Sequence, residues 1–255
     1  MVLKSNSPSI DYHNIFDFKL TKEESVKWQY KNQKIKVSGI KNKSRLQREK
    51  YSQAKLILAT KAAKVISKIP TVKFVGITGA LAMMNCGKDG DIDLMVITKN
   101  GHLWTTRLVS YLVIWLSGYK TRSPKNKLEK DRLCMNLWMD ESDLVWGKEN
   151  RNIYTAHEIA QVVPLVNRDN AYERFLQLND WILEYWPNSV KINNHKLISK
   201  KIKSKTGFLE KMFYSIQYWY MKNKITREVI TPTRAIFHPK DWSKVVLSKL
   251  LPTNS

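Results

Sequence analysis

Phe74-Val75-Gly76-Ile77-Thr78-Gly79-Ala80-Leu81-Ala82-Met83 is followed, after a short loop, by Asp89-Gly90-Asp91-Ile92-Asp93-Leu94-Met95-Val96-Ile97. The run from Val72 to Ile77 is apolar and β-prone, which predicts a buried strand. Ala80 to Asn85 has the composition of a short helix, and Cys86-Gly87-Lys88-Asp89-Gly90 that of a turn-forming loop. Ile92 to Thr98 predicts a second strand, closed by the turn Lys99-Asn100-Gly101. Side chains alternate across a strand, so Asp91 and Asp93 share one face while Ile92, Leu94 and Val96 point into a core. Two carboxylates placed so closely raise each other's pKa unless a cation lies between them. Mg²⁺ suits such a pair, because it favours carboxylate oxygens and keeps positions open for phosphate and water. Gly79 has no Cβ, so an anionic group can approach the backbone N–H groups of the turn.

Strand, glycine, short helix, loop and Asp-x-Asp on the next strand together resemble the polymerase-β-like nucleotidyltransferase superfamily. The resemblance spans Lys73 to Asp140. It implies that Asp91 and Asp93 hold two Mg²⁺ ions, and that Thr78, Gly79 and Ala80 form the nucleotide-binding turn. The implied reaction is transfer of a nucleoside monophosphate from an NTP to an acceptor hydroxyl, with release of pyrophosphate. Two departures from the family pattern stand out. Ala80 occupies the position of the family's Ser, leaving Thr78 as the candidate substitute hydroxyl. The family's third carboxylate lies on a later strand, here Leu133-Cys134-Met135-Asn136-Leu137-Trp138-Met139-Asp140. Period-two alternation would place Asn136, Trp138 and Asp140 on one face. The equivalent position is therefore either Asn136, a neutral ligand, or Asp140, a third catalytic acid.

Outward from this segment, Tyr51, Ala54, Leu58, Ala62, Val65 and Ile69 recur at helical steps, predicting a helix from Arg45 to Ile69 that Pro70 stops. Leu103 to Leu116 reads as an apolar helix against the sheet, and Lys120 to Arg132 as an exposed basic linker. Beyond Asp140 the pattern is helical. Thr155-x-x-Glu158 fits a capping box opening a helix through Ile159 and Val163, with further helices over Ala171 to Trp186, Gly207 to Asn223 and Trp242 to Leu250. In that reading Glu158 is a capping partner and His157 a surface or interface residue. The expected fold class is α/β (α+β): a small mixed sheet with flanking helices over 45–140 and a helical C-terminal region over 141–255. Residues 1–44 form a basic arm or a small helical module with a hairpin near Lys34 to Gly39.

The chain carries 44 Lys and Arg against 22 Asp and Glu, a net charge of +22. Such a field attracts polyanions and favours RNA or DNA ends as the acceptor; protein and small-molecule acceptors stay open. Cys86 and Cys134 lack CxxC spacing, so neither a disulfide framework nor a zinc site is indicated. The first residues lack the apolar core of a signal peptide, and Leu108 to Leu116 is far short of the ~20 residues that span a bilayer. A cytoplasmic protein without a transmembrane segment is expected. The aromatic run Met212 to Met221 reads as a core stripe through Met212, Ile216 and Trp219, or through Phe213 and Tyr220. Its flanking lysines also allow base stacking or contact with a membrane surface. Besides the enzyme, a catalytically degenerate relative that binds nucleic acid fits Ala80 and Asn136.

Overall fold

The computed structural model describes residues 7–31, 33, 37, 39–123, 129–192, 206–237 and 241–250. Strands β1 (Val72–Ile77) and β2 (Ile92–Thr98) form where the apolar runs predict them. They pair antiparallel, with Ile77 opposite Leu94. Strand β3 (Leu133–Asp140) lies parallel to β2. A parallel neighbour needs a crossover, and helix α5 (Leu103–Leu116) is part of it. The result is the mixed α+β fold expected from the sequence.

The sheet is wider than the central segment alone. Its order is β4-β1-β2-β3-β6-β5. Strand β4 (Val163–Asn167) pairs antiparallel with β1, and the hairpin of β5 (Val229–Thr231) and β6 (Arg234–Ile236) extends the edge beside β3. The region after Asp140 is therefore not uniformly helical, because it supplies three strands to the central sheet. Helix α6 (Ile153–Ala160) ends before Val163, where Pro164 cannot continue a helix. Helix α7 (Ala171–Leu178) stops at Asn179, whose side-chain amide donates to the Leu144 and Phe175 carbonyls, and a 3-10 turn follows over Asp180–Glu184.

Both faces of β2 are covered, which accounts for its near-continuous hydrophobicity. On one side Ile92, Leu94 and Val96 pack with Ala59, Ala62, Ala63 and Ile66 of helix α3 (Lys43–Ile66) and with Trp104 of α5. On the other, Met95 and Ile97 pack with Ile159 of α6, Phe175 of α7 and Val246 of helix α9 (Trp242–Leu250). The N-terminal segment belongs to this second core. Tyr12 of helix α1 (Pro8–Ile15), Phe18 and Trp28 are buried there beside Trp186. Helix α2 (Lys22–Lys27) is closed by a reciprocal Thr21–Glu24 capping box, and Glu24 also accepts from buried Arg45. The segment is thus a helical module rather than a free arm. Most of the hairpin expected near Lys34 to Gly39 lies outside the described residues.

Helix α8 (Phe208–Met221) packs along α5. Gln217 donates to the Trp104 carbonyl and accepts from Arg107, while Glu210 accepts from the Trp104 and Thr105 N–H groups. The stripe Met212, Ile216 and Trp219 is exposed. Phe213 and Tyr214 are the aromatics of this run that pack inward, while Tyr220, paired with Phe213 in the alternative stripe, is exposed. The core assignment for the first stripe is corrected: α8 is apolar on more than one side, so periodicity did not identify the buried one.

Candidate active site

Strand β1 ends at Ile77, and the chain turns through Thr78 and Gly79 into the short helix α4 (Gly79–Ala82). Gly79 has φ +60, a left-handed conformation that glycine adopts without strain. A Cβ there would lie 2.6 Å from Oδ2 of Asp93. The Thr78 N–H donates to the Asp93 carbonyl at 3.1 Å. The turn and the Asp-x-Asp segment are thus in direct contact. The loop before Asp91 is fixed from α3: buried Lys55 donates to the Gly90 carbonyl at 2.7 Å and to Asp131 at 2.5 Å, and the Cys86 N–H donates to Ser52 Oγ at 3.0 Å.

Asp91, Asp93 and Cys134 each present a donor atom, and the three lie within 4.8 Å of one another. Burial, and then the Asp91 charge, push the Asp93 carboxyl up to about 7. Arg122 donates to Asp91 Oδ2 at 2.9 Å and to Glu129 at 2.5 Å. Asn136 Nδ2 donates to Asp93 Oδ1 at 2.6 Å, while its own Oδ1 is buried and unpartnered. Asp91, Asp93 and Cys134 could together hold a metal ion. The carboxylates suit Mg²⁺, whereas burial raises the Cys134 thiol well above its ordinary value and keeps it protonated, a poor ligand for that ion.

The structure separates the two residues considered for the third acid. Leu94 pairs with Met135 but Met95 with Leu137, so Asn136 is the extra residue of a β-bulge. The bulge turns Asn136 towards Asp93 and reverses the alternation beyond it, leaving Trp138 in the opposite core with Leu94 and Val96. Asp140 pairs with Thr98, roughly 16 Å further along β2 than Asp93 at the usual rise per residue. Its carboxylate accepts from Gly101 N–H at 2.6 Å and from Ser142 N–H and Oγ at 2.9 and 2.6 Å. Asp140 therefore closes two turns and is not part of the carboxylate cluster. The inference that Asn136, Trp138 and Asp140 share a face fails because the bulge breaks the period of two.

A different acid, Glu158, lines the cavity. Helix α6 is capped by Asn152 and Thr155, whose side chains satisfy each other's backbone N–H groups. The capping box thus starts three residues before Thr155-x-x-Glu158, and Glu158 is freed from that role. Glu158 lines the same cavity as Asp91 and Asp93, and its Oε1 accepts from Gln161 at 2.6 Å. Burial, and then the nearby Asp93 charge, raise its carboxyl to about 8.

Two adjoining cavities of about 540 Å³ each meet at Gly79, Asp93, Asn136 and Glu158. Each is of a size that accommodates a small organic ligand. The first cavity is lined by four carboxylates (Asp91, Asp93, Glu129 and Glu158) and two guanidinium groups, Arg48 and Arg122. Arg122 pairs with two of these acids, Asp91 and Glu129, and burial raises the other two, Asp93 and Glu158. Gly79 and Ala80 line the first cavity, while Thr78 lines the second. Tyr12 and Phe16 from the N-terminal module and Trp242 from α9 complete the first wall. The sequence offered no signal for this contribution of α1.

His157, read as a surface or interface residue, is buried within the chain. It stacks on Trp28 with ring centroids 4.0 Å apart, and its Nε2 lies 3.2 Å from Nε2 of His13. No protein-family model matches the chain, and no curated protein matches it.

Proposed function

We propose that the chain is a Mg²⁺-dependent nucleotidyltransferase, moving a nucleoside monophosphate from an NTP to an acceptor hydroxyl with release of pyrophosphate. The observation that supports this reading is the contact of the Gly79 turn with Asp93: Gly79 and Ala80 line the cavity beside the carboxylate pair. Asp91 and Asp93 would hold two Mg²⁺ ions. When bound, these neutralise the triphosphate and lower the pKa of the attacking hydroxyl. Thr78, Gly79 and Ala80 bind the phosphates through the backbone. The acceptor oxygen forms the new bond to the α-phosphorus as the bond to the bridging oxygen of pyrophosphate breaks. Glu158, held by Gln161, would take the hydroxyl proton, since Asp140 lies away from the cluster and Glu129 is paired with Arg122. The net charge favours RNA or DNA ends as acceptors, and a cytoplasmic location would supply both substrates.

Incubation with each labelled NTP and cell-derived RNA or protein tests the reading. Label transfer that disappears in Asp91→Ala/Asp93→Ala supports it; transfer unchanged in that variant rejects it. Asn136, neutral at the position of the third acid, favours one rival: a degenerate relative that binds nucleic acid without turnover. Salt-sensitive RNA binding with no Mg²⁺-dependent NTP binding would select that rival.

A further inference from the structure

Helices α5 and α8 lie side by side and turn large apolar side chains outward. On α5 these are Leu108, Leu112, Trp115 and Leu116; on α8 they include Ile216 and Trp219. Trp115 and Trp219 are each 71% exposed, and Ile216 is 56% exposed. Large apolar side chains exposed on two helices that pack together are the kind of surface on which interaction sites form. Neither helix presents an exposed acid. Glu210, the one carboxylate on the pair, is 3% exposed and spent on the N–H groups of Trp104 and Thr105. Exposed lysines flank the face: Lys211 on α8, Lys222 at its end, and Lys120 beyond α5.

We propose that this face docks on an anionic lipid bilayer. The inference goes beyond the proposed transfer reaction and is independent of it. Apolar side chains without acids, bordered by lysines, match an acyl-chain boundary beneath negative headgroups. Charge argues against a second copy as the occupant, because each chain carries +22 and would repel its like. The aliphatic members argue against single-stranded nucleic acid, since Leu112, Leu116 and Ile216 have no face on which a base can stack. At 14 residues each, the helices rise about 21 Å. They can lie in the interface, and no helix among the described residues is long and apolar enough to cross a membrane.

The test is co-sedimentation with vesicles of phosphatidylcholine alone and of phosphatidylcholine mixed with phosphatidylserine. The wild-type chain should sediment with the mixed vesicles and not with the neutral ones. Ile216→Asp/Trp219→Asp should lower that partition at least about tenfold, the equivalent of 1.4 kcal/mol. Both positions are exposed, and circular dichroism checks that the variant is folded. In the unmodified protein, bromine-labelled acyl chains should quench tryptophan emission. Failure to bind the mixed vesicles overturns the proposal. So does binding without quenching that the double substitution leaves intact, which would reflect net charge alone. Loss in the variant of self-association or of oligonucleotide binding, with no vesicle binding by the wild type, would identify another occupant and equally reject the lipid surface.

Discussion

Gly79 and Asp93 are packed so closely that the glycine's missing Cβ is what makes room for Oδ2 of the aspartate. The relationship joins the end of one strand to the carboxylate-bearing face of the next, and it gives a sharp substitution test. Gly79→Ala places a side chain in the left-handed region, at about 1–2 kcal/mol, and displaces Asp93. The expected variant is folded with a lowered melting temperature and greatly weakened Mg²⁺ binding. Wild-type Mg²⁺ affinity by titration calorimetry would remove the contact from the account.

Glu158 is the acid that the structure brings to the cavity, and Glu158→Gln keeps its shape. Transfer should fall by roughly 10²–10⁴-fold, the scale of a general-base contribution, with NTP affinity retained. The pH dependence of stability gives a second readout. Burial and the nearby Asp93 charge raise the folded-state pKa to about 8. The native carboxyl thus holds its proton after the unfolded chain has lost it. Its stabilising contribution is present at low pH and is lost as pH rises through about 8. Without metal, Glu158→Gln should lose less stability than wild type between pH 5 and 8 in urea titrations. Parallel curves would mean that Glu158 is solvated.

Asp140 is expected to matter for stability and not for chemistry. Asp140→Ala leaves Gly101 N–H and the Ser142 groups without their acceptor, at about 1–3 kcal/mol for a buried group. The denaturation midpoint should drop while kcat is preserved in the remaining folded protein. A lost kcat at unchanged stability would return Asp140 to the mechanism.

His13 gives the opposite pH dependence. Burial lowers its folded-state pKa to about 4 from an ordinary 6.5, so the unfolded chain binds the proton first. Stability is fully present above about 6.5 and is lost as pH falls towards about 4. Ring-proton chemical shifts followed by NMR should show no His13 titration near pH 6.5. A midpoint there would show that the His13–His157 contact is open to water.

Much of the central segment was legible. The Val72–Ile77 run, the glycine turn and the Asp91-Ile92-Asp93 alternation are local patterns, and local patterns survive folding. Strand β3 was also legible, but its face was not. The bulge at Asn136 inserts one residue, and from there each outward position becomes an inward one. Glu158 was hidden by an ambiguity of capping. Asn152–Thr155 and Thr155–Glu158 both offer the right spacing, and only the helix start decides between them. Strands β5 and β6, three residues each, are too short for periodicity to register. The packing of α1 against the cavity depends on contacts between residues far apart in sequence, such as Tyr12 and His157.

The central claim is that Asp91 and Asp93 hold metal for a nucleotide seated on the Gly79 turn. Equilibrium binding of each labelled NTP, with Mg²⁺ and with EDTA, tests it most directly in wild type and in Asp91→Ala/Asp93→Ala. The account predicts binding that requires Mg²⁺ and vanishes in a folded double variant. NTP binding that persists in EDTA, or survives the loss of both carboxylates, would contradict it.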